Sequence, residues 1–131
     1  MQSGDTIVAI SSAVGAAPRM IVRLSGPDAI RIADEMIEPH ASPGASAACL
    51  FVGTNFEARP DRKQTVPGTV YRFDAPRSVT GEQVIELHIP GNIWIVKQLI
   101  RDLISRGARQ AEPGEFTARA YFNGRMDLSE A

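Results

Sequence analysis

The spacing of apolar positions changes several times along this chain, and each change marks an element. Thr6 to Ser11 and Arg19 to Ser25 are β-branched and apolar runs that read as strands, with Gly15-Ala-Ala-Pro18 supplying turn residues between them. Ser25-Gly-Pro-Asp28 then opens a helix whose apolar stripe is Ile30, Ala33 and Ile37, at i, i+3 and i+7. Residues 39 to 48, rich in Ala, Ser, Pro and Gly, read as loop. Leu50 to Val52 and Gly68 to Phe73 are candidate strands, and the polar stretch Asn55 to Gln64 reads as a long hairpin loop between them. Val84 to Ile89 is a further strand. Asn92 to Arg106 is the clearest helix, with Ile93, Val96, Leu99, Ile100 and Leu103 on one face and Gly107 as its stop.

The closing segment has a different grammar. Pro113 suits the first helical position, Glu115 falls in the first turn where a carboxylate complements the helix dipole, and Gly124 stands where a left-handed residue closes a helix. Asp127 followed by Glu130 reads as a capping box opening another helix, which has no body before Ala131. The expectation is a domain, residues 1–126, followed at 127–131 by the start of a helical region belonging to a longer protein. Strands and isolated helices do not alternate strictly, which predicts an α+β fold with a mostly antiparallel sheet and about three helices, not a doubly wound one.

Alternation within Val84–Ile89 divides its side chains between two faces. Ile85, Leu87 and Ile89 point one way, as a core face; Val84, Glu86 and His88 point the other. Glu86 and His88 therefore share a face, either the wet side of an antiparallel sheet or a cleft. In a cleft, a carboxylate can accept from two adjacent donors of a ligand, such as the ring N–H and amino group of a pterin. Arg23, flanked by apolar residues in its strand, reads on pattern alone as a mark of the solvent face.

Bulk properties narrow the field. The 131 residues are 44% apolar with a formal charge of −1, an ordinary balance for one domain and without the basic character that marks nucleic-acid binding. The lone Cys49 excludes an internal disulfide, and no Cys/His cluster has metal-ligand spacing. No apolar run is long enough to span a bilayer, and the N-terminus lacks the pattern of a secretory signal, so a cytoplasmic location is expected. No Gly-x-x-x-x-Gly-Lys-Ser/Thr motif occurs, so these residues carry no P-loop. His40 and His88 have no nucleophile partner in the pattern, and no catalytic residue is assigned.

Three blocks resemble one family. Asp5-Thr-Ile-Val-Ala-Ile10 is followed by Ile21-Val-Arg-Leu-Ser-Gly-Pro-Asp-Ala29; Thr80-Gly-Glu-Gln-Val-Ile-Glu-Leu87 by a helix and Gly107-Ala-Arg109; and the chain closes on Pro113-Gly-Glu-Phe-Thr-Ala-Arg-Ala-Tyr-Phe-Asn-Gly-Arg-Met-Asp-Leu128. In this order they resemble the N-terminal domain of the tRNA-modification GTPases called MnmE or TrmE, with residues 38 to 68 the least similar. The resemblance implies a fold like the folate-binding domains of that family and of the glycine-cleavage aminomethyltransferases. It implies a reduced folate, 5-formyl- or 5,10-methylene-tetrahydrofolate, as one-carbon source, and a homodimer formed through the sheets. In the full protein it implies GTP, Mg and K in a separate GTPase domain, a flavin-containing partner of the MnmG/GidA kind, and tRNA whose wobble uridine is modified.

Carried over residue by residue, the folate contacts implied are Glu86, Arg23 and Arg125. A guanidinium at Arg23 suits folate carbonyls or the glutamate-tail carboxylates. Arg125 stands where the family commonly has Lys; the charge is kept, but a planar fork replaces a compact ammonium, and a solvated residue at a helix end is the alternative. Arg119, Asn123 and Asp127 also recur in the closing block and read as structural, Asn123-Gly124 as a turn and Asp127 as an N-cap. The family's Pro-Pro-Gly-Arg-Gly is replaced by Ser12-Ala-Val-Gly-Ala-Ala-Pro-Arg19, and its His-Gly-Gly by Ile89-Pro-Gly-Asn92. Two further readings stand beside the folate-binding domain: a dimerisation scaffold that has lost the ligand, and an independent folate-dependent enzyme of the aminomethyltransferase kind, for which Glu86 is the one candidate acid or base.

Overall fold

The computed structural model describes residues 4–12, 19–52, 64–90 and 93–124. The chain runs β1 (Ile7–Ser12), β2 (Arg19–Ser25), α1 (Ala29–Asp34), β3 (Ile37–Glu38), β4 (Gly44–Val52), β5 (Gln64–Phe73), β6 (Val84–Pro90), α2 (Ile93–Ser105), β7 (Arg109–Gln110) and α3 (Glu115–Phe122). The strands form one seven-stranded sheet in the order β3-β4-β5-β6-β2-β1-β7. Every pairing is antiparallel except the short β1–β7 contact, which is parallel. This is the expected α+β fold, with three helices among the described residues.

One face of the sheet is the core. Val8, Val22, Leu24, Val70, Ile85, Leu87 and Ile89 are buried there against Ile32 and Ala33 of α1 and Val96, Leu99 and Leu103 of α2. α1 lies over β6 and β3, and α2 over β1, β2 and β4. Burying a side chain of this size stabilises by about 1.5–3 kcal/mol, so this interleaved layer is the main source of stability. Among the described residues no helix is long and apolar enough to cross a membrane.

Five local expectations are corrected. Ile37 belongs to β3 and not to the helix before it; α1 ends at Asp34, and its buried stripe is Ala29, Ile32 and Ala33. The segment 39–48 is not all loop, because β4 starts at Gly44: its small Gly, Ala and Ser residues are held extended by pairing with β5, from Gly44–Arg72 to Val52–Gln64. β5 likewise begins before Gly68, at Gln64. Ile93, placed on the packed stripe of α2, is 55% exposed at the helix's first position.

The fifth correction concerns Pro113, which precedes α3 instead of opening it. The Glu115 N–H donates to the Glu112 carbonyl at 3.0 Å, and Gly114 has φ +76° and ψ 4°. Proline followed by a left-handed glycine inside such a bond is the chemistry of a type II turn. The turn delivers Glu115 to the first turn of α3, as the dipole argument anticipates. Gly124, with φ +73°, closes the helix as expected.

Candidate ligand-binding face

The opposite face of the sheet carries the polar groups. Antiparallel register sets Arg23 of β2 directly across from Glu86 of β6, and Glu86 across from Tyr71 of β5. Residues in such register share a face, so these three and His88, two positions after Glu86, project together. The Arg23 guanidinium grips one carboxylate oxygen with two nitrogens, Nε at 2.8 Å and Nη2 at 2.7 Å from Glu86 Oε2. His88 Nε2 lies 3.1 Å from the other oxygen, Oε1. The Tyr71 and His88 rings pack with centroids 4.4 Å apart, tilted by 47°. The face is recessed and not simply wet: the side chains of Glu86 and His88 are 16% and 10% exposed, and Arg23 27%.

Burial is complete at one end of this face. Val84, grouped with Glu86 and His88 by alternation, is fully buried, as is Ser25 opposite it. The Ser25 hydroxyl bonds Thr80 Oγ1 at 2.7 Å and donates to Glu82 Oε1 at 2.8 Å. α3 closes over the same side, with Arg23 6.0 Å from the centroid of Phe116. A cleft of about 460 Å³ runs between β1 and the start of α3, lined by Ala9, Glu112, Gly114 and Phe116 among others. Ala9 is the register partner of Arg23, but none of Arg23, Glu86 and His88 lines the cleft.

A second charged cluster anchors α3. Arg109 Nε donates to Asp5 Oδ2 at 2.7 Å and its Nη2 to Glu115 Oε2 at 2.6 Å. Arg119 Nη1 donates to the Asp5 carbonyl at 2.7 Å and to Glu82 Oε1 at 3.1 Å, while its Nη2 bonds the Asp5 carboxylate. Glu115 and Arg119 are buried, and Glu115 also accepts from the Glu112 N–H at 2.9 Å. Asn123 donates to the Thr80 carbonyl at 2.9 Å. Charge pairing on this scale shifts titration. The hydrogen bond from Arg109, opposed by partial burial and assisted by Arg119, draws the Asp5 carboxyl from 3.8 to about 2. Glu115 is lowered, first by Arg109 and against its burial. Burial works against the Arg119 charge, but Glu82 and Asp5 outweigh it and raise the group.

Of the residues singled out from sequence, Arg23 and Glu86 are brought into direct contact, and Arg119 and Asn123 take structural positions. Arg125 and Asp127 lie outside the described residues, as do most of the two substituted loops. The reading missed the Asp5–Glu82–Arg109–Glu115–Arg119 cluster as a unit. Its one sequence signal was that Asp5, Glu82, Arg109, Glu115 and Arg119 all fall inside the three recognised blocks.

A mostly antiparallel sheet, two helices on its apolar face and a third clamped beside a recessed Arg–Glu pair define an α+β domain with one apolar and one polar sheet face. The family model described as "GTP-binding protein TrmE N-terminus" matches residues 6–125. The tRNA modification GTPase MnmE of Salinibacter ruber is 45% identical over 132 residues, covering 100% of this chain and 28% of its own length. The protein of that name from Bacillus velezensis is 44% identical over 131 residues, and that of Bacillus subtilis 42% over 130, each covering 97% of this chain and 28% of the relative. The chain belongs to the TrmE N-terminal family, and it spans about 28% of the length of these relatives.

Proposed function

We propose that this domain binds a reduced folate on the Arg23–Glu86 face and pairs with a second copy of itself, as the N-terminal part of a GTPase that modifies the wobble uridine of tRNA. The observation that carries the reading is the Arg23–Glu86 pair: the two described residues that the family resemblance nominates stand in register on a recessed face. The donor set suits a pterin. Each carboxylate oxygen has further lone-pair capacity beyond the bonds it already accepts, and the partly exposed guanidinium can turn to a carbonyl or carboxylate. The cleft between β1 and α3 falls within the usual range of about 300–1,000 Å³ for small-molecule sites. In this reading the domain binds and orients; GTP hydrolysis, with its Mg and K, belongs to residues other than these 131, which hold no P-loop motif. The flavin-containing MnmG-like partner and tRNA are engaged by the whole protein.

One observation favours the second reading, a scaffold that has lost its ligand. Both oxygens of Glu86 are already engaged, by Arg23 and His88, so the face is internally neutralised. The thermal midpoint with and without millimolar 5-formyltetrahydrofolate separates the two. Binding to the folded state alone stabilises by about 2.7 kcal/mol at a hundredfold excess over Kd. A rise in the wild type that is lost in Glu86→Ala supports the folate site, and no rise in either supports the scaffold. Sedimentation of the free and folate-loaded domain reads the dimer.

A further inference from the structure

We propose that His88 sets ligand specificity on this face: Glu86 holds its ring as the Nε2–H tautomer, and the bare Nδ1 accepts a hydrogen bond from an N–H donor of the bound pterin. The assignment rests on the folate reading and deepens it.

The tautomer follows from the partner. An ionised carboxylate can only accept, so the 3.1 Å contact between His88 Nε2 and Glu86 Oε1 requires the proton on Nε2. A neutral imidazole carries one ring proton, which leaves Nδ1 as a lone pair. That atom is buried, in a side chain only 10% exposed, and among the described residues it has no hydrogen-bond partner. Buried polar atoms are overwhelmingly paired in folded proteins, and an orphan at a candidate site marks where a partner from outside belongs. The ring cannot easily turn away to find water. Tyr71 packs against it at 4.4 Å, and the Glu86 bond pins its other edge.

Among the described residues, the charged and titratable groups facing the ring are Glu86 on its own strand and Tyr71 of β5, with Arg23 of β2 reaching it through Glu86. Together they present a fixed pattern: a guanidinium donor at Arg23, a carboxylate acceptor at Glu86 and a second acceptor at Nδ1. A reduced pterin, with its amino group and ring N–H groups, matches two neighbouring acceptors. A ligand of the same shape with a lone pair opposite Nδ1 is rejected, because two acceptors would meet in a buried site.

Two substitutions divide the two ends of the ring. In His88→Gln the amide nitrogen reaches roughly where Nε2 lies and keeps a donor to Glu86, but no acceptor replaces Nδ1. In His88→Asn the amide oxygen falls near Nδ1 and keeps the acceptor while the Glu86 bond is lost. Titration calorimetry of the 131-residue chain with 5-formyltetrahydrofolate is expected to show His88→Gln weaker by about tenfold or more, and His88→Asn less affected. Thermal melting without ligand confirms that both variants fold. Wild-type binding with His88→Gln within about twofold of it overturns the His88 assignment and leaves the folate reading standing; no binding by the wild type overturns both. Nitrogen NMR of the free protein gives an independent check, since a protonated Nδ1 there overturns the tautomer whatever the calorimetry shows.

Discussion

Arg119→Ala tests whether the ion cluster beneath α3 is a buried structural anchor or a solvated surface network. The guanidinium is 6% exposed and serves the Asp5 carboxylate, the Asp5 carbonyl and Glu82. Removing one partner of a buried ion pair costs about 3–5 kcal/mol, because the remaining charge is left uncompensated. The partners here are less buried, with Asp5 30% and Glu82 19% exposed, and Arg109 still holds Asp5. That moves the cost to the low end, about 3 kcal/mol, the lost donor to the Asp5 carbonyl included. For a domain of this size the midpoint should fall by roughly 10 °C. Urea unfolding followed by circular dichroism should give a lower midpoint with an unchanged slope, which isolates stability from any change in the denatured state. Arg119→Lys should recover only part of the loss, since a point charge cannot reach Asp5 and Glu82 at once as the fork does. A loss below about 1 kcal/mol, the scale of exposed ion pairs, would refute the anchor.

The same cluster predicts acid sensitivity. Asp5 is held at about 2 in the folded chain against 3.8 for the free group, so its contribution is complete above the free value and is lost as pH falls between them. At full weight that is roughly 2.5 kcal/mol, and about 1 kcal/mol after solvent screening of a side chain that is 30% exposed. Urea midpoints taken at about pH 5 and about pH 2.5 should differ less in Asp5→Asn than in the wild type by that amount; equal pH slopes would count against the pairing. Gly26→Ala should cost about 3 kcal/mol, measured by the same unfolding. Its φ of +145° excludes a relaxed alanine, and a Cβ there would lie 2.5 Å from the Thr6 Cα, which is backbone and cannot swing aside.

The elements that were legible in sequence are those whose own side chains decide their conformation. The alternation of Val84–Ile89 gave a strand and its core face, and Val96, Leu99 and Leu103 gave a helix with the right side packed. β4 was half missed because Gly44 to Ala48 have weak strand preference, and pairing with β5 supplies what local preference lacks. Ile37 fits a helical stripe equally well by spacing, and only the β3–β4 pairing decides otherwise. Arg23 and Glu86 could each be nominated from sequence, but their contact could not. Arg23 and Glu86 are 63 positions apart, and no local pattern places them in register. The Asp5–Arg119 contact spans 114 positions and needs the whole fold to exist. His88 looked like a lone histidine because its two neighbours of consequence, Tyr71 and the far oxygen of Glu86, follow from sheet register and side-chain rotamer.

The two charged groups on this side of the sheet are joined through α3. Glu115 and Arg119 fasten the helix to Asp5, Glu82 and Arg109, and the same helix sets Phe116 over Arg23 and forms one wall of the adjoining cleft. Loosening the anchor should therefore reach the ligand face without touching it. Glu115→Gln keeps the shape of the buried side chain and its acceptor for the Glu112 N–H, but removes the charge that meets Arg109 at 2.6 Å. On the proposed folate reading, at a temperature where this variant remains folded, the affinity for 5-formyltetrahydrofolate should fall by several-fold, while Asp28→Asn at an exposed ion pair beside α1 should leave it unchanged. Equal affinity in folded Glu115→Gln and wild type would separate the two clusters and confine the α3 anchor to stability.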